Sequence, residues 1–337
     1  MIEPLRLPIN SDAGHTVHLN AWRLHGDGTG PRAHLQAGVH ADEIAGMLVL
    51  HRLLPVLQQA QAEGRLRGTV TLVPQANPLG IGQFRQGRVL GRFHDASGQN
   101  FNRHFDSSVQ LKRTPGNFAH WQQTLAALAA DAQLVLDLHT DDEALPYLYV
   151  HRQFWPHAQD LAAAMQAEVA ILWEGDSDGA FEGVPISQWG QAGLGAERLS
   201  ATLELRGQGD VSEALAQQDA AGLYRFLCAR GVVSDGVALP AWQGIAVDIS
   251  HMEAVFAPAA GVLVFDRGLG DWLEQGEIFA RIVACPGDPA SEYELRAVQA
   301  GRLLTRYRDR LIPQGAVVAK FTGSTASASW SGGVLDP

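Results

Sequence analysis

The first 230 residues contain short apolar runs that alternate with segments of helical periodicity. This alternation limits the possible folds more than any other feature of the sequence. Three runs are rich in Val, Leu and Thr, which is typical of buried strands. They are GTVTLVP at 68–74, QLVLDLH at 133–139 and SATLELR at 200–206. Apolar residues also recur at helical spacing within residues 42–62, 118–130 and 211–230. Strands alternating with helices predict an α/β fold: a mostly parallel sheet, helices on both faces, and a site at the carboxyl ends of the strands.

The pattern changes after residue 231: VVSDGVALPAWQG is typical of a linker, and from residue 251 short runs rich in Val, Leu and Ile alternate with Gly, Pro and Asp turns. We therefore predict a first domain at 1–232, a linker at 233–250 and a small all-β domain at 251–337. The last of these contains two similar half-units and resembles the barrel-sandwich shape of biotinyl and lipoyl carrier domains. A carrier needs a lysine to modify, and residues 233–319 contain none. We expect an interaction or lid role instead.

The charge balance and the length of the apolar runs argue against several classes of protein. The chain has 25 Lys and Arg against 36 Asp and Glu, a net charge of −11, and no basic stripe, so no nucleic-acid partner is expected. No apolar stretch approaches the ~18 residues of a membrane helix, and Met1–Asn10 lacks the apolar run of a signal peptide. We expect a cytoplasmic protein without a membrane partner. Cys228 and Cys285 are too few for a disulfide framework and are interpreted as free thiols.

Two segments end in residues that can bind a metal. His40 follows a predicted strand, and Glu43 comes three residues later where a helix is predicted to begin. Farther along, LDLHT ends an apolar strand in Asp137 and His139, whose side chains share one face of that strand. Two imidazoles and a carboxylate with one open position form the ligand set of a hydrolytic zinc site. The alternatives are surface histidines at strand ends, and a Glu43 favoured by the dipole of the helix.

Residues 77–105 have little regular pattern, much Gly and several arginines: Arg85, Arg88, Arg92 and Arg103. A loop this long within an α/β domain is more often functional than idle. Guanidinium groups suit the recognition of carboxylates, because they stay charged and bind both oxygens at once. The alternative is a solvated surface loop with ion pairs.

Glu204 interrupts an otherwise apolar strand. Unpaired carboxylates are almost never fully buried, and one at the carboxyl end of a strand near a metal can act as a general base. The alternative is a structural ion pair with Arg206 or Arg198.

Five short motifs follow one another along the chain: His40-x-x-Glu43, Asn77-Pro78-x-Gly80, Asn102-Arg103, Leu138-His139 and Glu204. Their order resembles the succinylglutamate desuccinylase/aspartoacylase branch of the zinc carboxypeptidase superfamily. The resemblance covers about residues 30–230, and a trailing β-domain also occurs in that branch. It implies a zinc-carboxypeptidase-like fold.

The resemblance also implies a role for each matched residue. Three residues bind Zn²⁺: His40, Glu43 and His139. Glu204 acts as general base and acid, while Asn102 and Arg103 bind the α-carboxylate of the substrate. An arginine upstream polarises the scissile carbonyl, and the motif does not fix which one. The candidates, in order of preference, are Arg92, Arg85 and Arg88, and Arg85 is also counted as a substrate-binding residue.

Two departures from the family pattern bear on the expected activity. Asn100 stands where an acidic residue is often found, and Leu79 replaces the Asp of the Asn-Pro-Asp-Gly seen in carboxypeptidases. The second departure favours acylases over peptidases. We therefore expect a zinc-dependent amidohydrolase that removes an acyl group from a small N-acyl amino acid or related compound by attack of a metal-activated water. A homo-oligomer is compatible with the sequence. The alternatives are a metallocarboxypeptidase acting on peptides and a non-catalytic binding protein.

Overall fold

The structure is a computed structural model and describes residues 2–10, 14–105, 116–175, 177–190 and 194–328. Its helices are α1 (Ala45–Ala62), α2 (Pro78–Ile81), α3 (Gly116–Ala129), α4 (Gln159–Ala164), α5 (Gly183–Trp189) and α6 (Glu213–Ala229). The strands of the first part of the chain are β1 (Ile2–Asn10), β2 (Thr16–His25), β3 (Arg32–Ala37), β4 (Thr69–Val73), β5 (Phe84–Arg85), β6 (Arg88–Val89), β7 (Leu134–Asp141), β8 (Glu143–Ala144), β9 (Tyr147–His151), β10 (Val169–Trp173), β11 (Leu199–Gly207) and β12 (Ile245–Asp248). The later strands are β13 (Met252–Phe256), β14 (Gly261–Phe265), β15 (Trp272–Leu273), β16 (Ile278–Val283), β17 (Glu292–Arg296), β18 (Gly301–Arg306), β19 (Leu311–Ile312) and β20 (Val317–Gly323).

Within the described residues, nine strands form one large sheet in the order β1-β2-β4-β3-β7-β11-β9-β10-β12. The run from β4 through β3 and β7 to β11 is parallel, and so is the run β9, β10 and β12. The β1–β2, β2–β4 and β11–β9 pairs are antiparallel. The predicted mixed, mostly parallel α/β sheet is confirmed.

Helices cover both faces of this sheet. Leu134 and Leu136 of β7 pack into one cluster with apolar residues of α1, α4 and α6. Val135, which points the opposite way, packs with Phe118 and Trp121 of α3. Each predicted strand and helix lies within about three residues of an observed one, because a buried parallel strand carries a continuous apolar run that the sequence displays directly.

Residues 251–328 form antiparallel sheets with a core of their own. One sheet has the order β13-β20-β18-β15, and the other has the order β17-β16-β14-β19. Their shared core includes Leu263, Phe279, Leu303 and Phe321. Strand β8, which lies between β7 and β9 in the sequence, pairs with β18, so the two parts of the chain are joined by backbone hydrogen bonds as well as by the chain itself.

The stretch 233–250 is more than a connection. Its residues 245–248 form β12, which pairs in parallel with β10 at the edge of the large sheet, with Val247 opposite Ile171. Only one side chain of this strand, Val247, is buried, so the apolar signal is too short to stand out from a linker. Both cysteines are free thiols, as expected. In the described part of the chain, no helix combines the length and the apolarity that crossing a bilayer requires.

Candidate active site

Three predicted metal ligands converge at the carboxyl edge of the large sheet. His40 follows β3, Glu43 lies two residues before α1, and His139 is in β7; each is 4% exposed or less. The Nδ1 atoms of His40 and His139 each lie 2.8 Å from a different carboxylate oxygen of Glu43. One ligand atom from each residue lies within 4.8 Å of the other two. This arrangement can hold a metal ion.

The far nitrogens of both imidazoles are held by residues outside the ligand set. His40 Nε2 lies 2.8 Å from Asn100 Oδ1, and that oxygen also accepts from the backbone N–H of Asn102 at 2.9 Å. The amide is therefore oriented with its oxygen toward His40, which must donate. His139 Nε2 lies 2.9 Å from the carboxylate of Asp137. Neutral imidazoles that donate from Nε2 keep a lone pair on Nδ1, so both Nδ1 atoms fit a metal.

The turn that carries His40 is held by the Asn77-Pro78-x-Gly80 motif. Asn77 Oδ1 accepts from the Gly80 N–H at 2.8 Å and begins α2, while its Nδ2 donates to the Val39 carbonyl at 2.8 Å. The loop that follows then returns to the same turn, where the Gly91 carbonyl accepts from the Ala41 N–H at 3.0 Å. A Cβ at residue 91 would lie 2.3 Å from the Asp42 nitrogen, so only glycine permits this approach.

The close approach of Gly91 brings Arg92 to the ligand cluster. Its Nη1 lies 3.3 Å from Glu43 Oε1, and its side chain lines the cleft. Arg85 and Arg88 are instead exposed on the short β5–β6 ribbon and do not line the cleft, and Arg85 Nε donates to Asp95 at 2.9 Å. Of the three arginines considered for the carbonyl, the structure brings Arg92 to the site and leaves Arg85 and Arg88 outside it. Arg85 was also expected to bind substrate, but it is not among the residues that line the cleft.

Asn102 and Arg103 are buried and line the same cleft. Asn102 Oδ1 accepts from the Phe181 N–H at 2.9 Å, and its Nδ2 lies 3.4 Å from His139 Nε2. Arg103 Nη1 donates to the Asn102 carbonyl at 2.7 Å, and its Nε is 3.5 Å from Asp178. A guanidinium held this way is fixed before any ligand arrives.

Glu204 lies between two cleft residues in the large sheet. Its register partners are His139 on β7 and Tyr147 on β9. Among the described residues its Oε2 atom is buried and has no hydrogen-bond partner. Burial, followed by the negative charge of Glu43, raises the pKa of Glu204 to about 8. A carboxyl group with a pKa near neutrality can both accept and donate a proton.

The alternative role of Glu204 as a structural ion pair does not match the structure. Arg206 pairs with Asp219, and the guanidinium of Arg198 lies over the ring of Trp189, 5.3 Å from its centroid.

Several cleft residues were not predicted from the sequence: Asp141, Tyr147, Glu182 and Lys320. Lys320 of β20 donates to Asp141 Oδ2 at 2.8 Å, and the Tyr147 hydroxyl donates to the same oxygen at 2.8 Å. Burial lowers the pKa of Lys320, but the Asp141 carboxylate raises it above its ordinary value, so the ammonium stays charged. The available signal was a lysine inside the apolar run VVAKFTG, in a chain with only one other lysine, Lys112.

Comparison with known proteins agrees with this geometry. The model of the succinylglutamate desuccinylase/aspartoacylase catalytic domain matches residues 29–230. A relative from Halomonas elongata, N-alpha-acetyl-L-2,4-diaminobutyric acid deacetylase, is 26% identical over 94% of this chain and 89% of its own.

Solved structures show the same fold. A succinylglutamate desuccinylase/aspartoacylase family protein from Shewanella amazonensis has a TM-score of 0.82 at 23% identity, covering 95% of this chain and 98% of its own. The product-bound ectoine utilization protein EutE from Ruegeria pomeroyi has a TM-score of 0.73 at 24% identity, covering 96% and 95%. The family model alone covers more than half of the 337 residues. The chain therefore belongs to the succinylglutamate desuccinylase/aspartoacylase family.

Proposed function

We propose that this protein is a zinc-dependent amidohydrolase that removes the acyl group from a small N-acyl amino acid. One observation supports the proposal most directly. A possible metal-ligand set of two imidazoles and one carboxylate lines the same cleft as Glu204 and Arg103. A non-catalytic binding protein needs no such set. The deacetylase activity named for the Halomonas relative supports the same reaction class.

The donor set fits zinc, because two imidazole nitrogens and one carboxylate are common ligands of catalytic zinc sites. When bound, zinc supplies Lewis-acid activation of the amide carbonyl and of a water molecule. His40, Glu43 and His139 would hold it. The remaining steps belong to side chains of the chain itself.

Glu204 takes a proton from the attacking water and passes it to the leaving amine, since its carboxyl group lines the same cleft as the three metal-ligand candidates. Arg92 donates to the carbonyl oxygen as negative charge develops there, an interaction typically worth ~2.7–4 kcal/mol in the transition state. Asn102 and Arg103 hold the α-carboxylate, since the guanidinium is already fixed beside the ligand cluster.

The test is hydrolysis of a panel of N-acetyl and N-succinyl amino acids and of short peptides, with Glu204→Gln as the key variant. Because the amide has nearly the shape of the carboxylate but cannot accept a proton, we expect kcat to fall by about 10²–10⁴-fold while zinc content stays unchanged. Glu213→Gln, an exposed position on α6, is the control and should keep the wild-type rate.

Two results would contradict the proposal. One is a Glu204→Gln variant with wild-type turnover. The other is faster release of C-terminal residues from peptides than deacylation of any N-acyl amino acid, which would favour the metallocarboxypeptidase.

A further inference from the structure

Lys320 belongs to the C-terminal sheets but reaches the cleft of the large sheet. It is 3% exposed and lines the same cleft as Glu204 and the three metal-ligand candidates. A buried ammonium is costly unless a carboxylate compensates it. The partner is Asp141, whose Oδ2 accepts from Lys320 Nζ at 2.8 Å.

Asp141 connects this ammonium to the residues around Glu204. It ends β7 two residues after His139, and its Oδ2 also accepts from the Tyr147 hydroxyl. Tyr147 in turn stands directly opposite Glu204 in the antiparallel β9–β11 pair. Side chains at such positions have Cβ atoms about 4.5–5.5 Å apart, so a displacement of one side chain changes the contacts of the other.

Glu204 depends on its neighbours for its position. Among the described residues, no hydrogen bond holds its Oε2 atom, and its flanking residues in the sheet are Tyr147 and His139. His139 is fixed by Asp137 and Glu43. Tyr147 is tied by its hydroxyl to the oxygen that Lys320 holds.

We propose that Lys320 is a positioning residue of the active site, which acts through Asp141 and Tyr147 to fix the side of the cleft that flanks Glu204. The catalytic part of this inference rests on the proposed hydrolase function. It means that the C-terminal sheets supply part of the site and do more than cover it.

Other ion pairs across the same boundary provide a matched control. Arg302 of β18 lies 2.9 Å from Glu168, and neither residue lines the cleft. Arg302→Met thus removes a cation and a cross-boundary pair without touching the cleft. Lys320→Met does the same inside the cleft.

The experiment measures kcat, KM, zinc per chain and the crystal structure of the full-length zinc-loaded variants. For Lys320→Met we expect kcat to fall about 20-fold or more, within the ~10²-fold range that small misplacements cause, with KM changed less than about threefold and zinc retained. Adding Asp141→Asn removes the uncompensated carboxylate and leaves an oxygen for Tyr147, so kcat should return to within about fivefold of wild type. Arg302→Met should stay within about twofold.

Several outcomes would overturn the inference: a Lys320→Met variant with kcat equal to that of Arg302→Met, a loss of zinc that accounts for the loss of rate, or a double variant no better than the single one. If Lys320→Met does not fold, Tyr147→Phe decides, with an expected kcat loss of about fivefold or more and with a loss under about twofold contradicting the proposal.

The crystal structures separate this inference from the proposed function. If the wild type hydrolyses no N-acyl amino acid, the proposed function fails. Displacement of Asp141 and Tyr147 in Lys320→Met would then still support the positioning role, whereas unchanged positions of Asp141, Tyr147 and Glu204 would overturn it.

Discussion

At the scale of single residues, the partners of the histidines matter as much as the histidines. Asp137 is fully buried, and its carboxylate lies 2.9 Å from Nε2 of His139, the nitrogen that faces away from Glu43. Such an acceptor fixes the tautomer of a ligand imidazole and raises its basicity. Asn100 does the same for His40 with a neutral oxygen.

Asp137→Ala should therefore weaken zinc binding by about 10–100-fold while leaving all three ligands in place. Competition with a chromogenic chelator measures this affinity. The control is Asp131→Ala, an exposed carboxylate that pairs with Arg32 at 3.3 Å on the surface, and its zinc affinity should be that of the wild type. Equal affinities for the two variants would contradict the tautomer argument.

Glu204 also makes the stability of the metal-free protein depend on pH. Its pKa is about 8 in the folded chain against an ordinary 4.5. Below pH 4.5 the carboxyl is protonated in both states, and between pH 4.5 and 8 only the unfolded chain releases the proton. The folded state binds more protons in this window, so the contribution of Glu204 to stability falls as the pH rises through it.

Glu204→Gln removes this titration and should stabilise the metal-free protein increasingly from pH 5 to pH 8. The gain in the free energy of unfolding at pH 8 should be about 2–4 kcal/mol. One pKa unit corresponds to about 1.4 kcal/mol, and the partial solvent exposure of Glu204 in the cleft reduces the full effect. Thermal unfolding of both proteins in chelator at several pH values checks it. A gain that is the same at pH 5 and pH 8 would show that burial of the charge is not its cause.

The residues that could be predicted from the sequence are those with a local pattern. His40 and Glu43 share one turn, and His139 ends an apolar strand, so a motif displays them. The sequence places Arg92 ahead of Arg85 and Arg88 but cannot decide among them, because all three lie in one irregular loop. The close approach at Gly91 is what brings Arg92 to the cleft. Lys320 and Asp141 are 179 residues apart, and nothing local shows that they pair.

At the scale of elements, the observed start of α1 shows how the site alters a helix. The apolar pattern predicts a helix from residue 42, but α1 begins at Ala45 with no side-chain cap at Ile44. Glu43, for which a place in the first turn favoured by the helix dipole was the alternative interpretation, turns its carboxylate to both histidines and to the Thr140 N–H at 3.0 Å. The contacts between Glu43 and the two histidines take the place of the first helical turn that the sequence pattern predicts.

Gly91→Ala tests whether the close contact between the loop at Gly91 and the turn at Asp42 determines the position of Arg92. The added Cβ would lie 2.3 Å from the Asp42 nitrogen, so the loop must shift and carry Arg92 with it. We expect kcat/KM to fall about tenfold or more, because Arg92 would move away from the position proposed for the substrate carbonyl. Gly236→Ala, whose Cβ meets nothing within 4 Å, is the control and should keep the wild-type rate. Similar rates for both variants would mean that the loop tolerates the displacement.

At the scale of the whole molecule, the sequence predicts a domain boundary near residue 250, but it does not predict how the two parts of the chain pack together. A buried apolar cluster contains residues from both sides of it: Ala144, Tyr147, Tyr149, Met252 and Leu304. Two of these, Tyr147 and Tyr149, also line the cleft. We propose that residues 251–337, of which the structure describes 251–328, belong to a domain whose packing against the large sheet shapes the cleft. The sequence alone cannot predict this packing. An apolar residue in a strand after residue 250 looks the same whether it packs in the core of the C-terminal sheets or against the large sheet.

Leu303 and Leu304 allow a direct test, since these neighbours on β18 are both fully buried but face different clusters. Leu303 packs within the core of the C-terminal sheets, and Leu304 packs in the same buried cluster as Tyr147 and Tyr149. Truncation of either to Ala should cost about 2–5 kcal/mol of stability. Below the unfolding temperature, however, only Leu304→Ala leaves a cavity behind the side of the cleft that flanks Glu204. We expect its kcat to fall about tenfold, and that of Leu303→Ala to stay within about twofold of wild type. If both variants lose the same activity, domain packing affects the site only through overall stability.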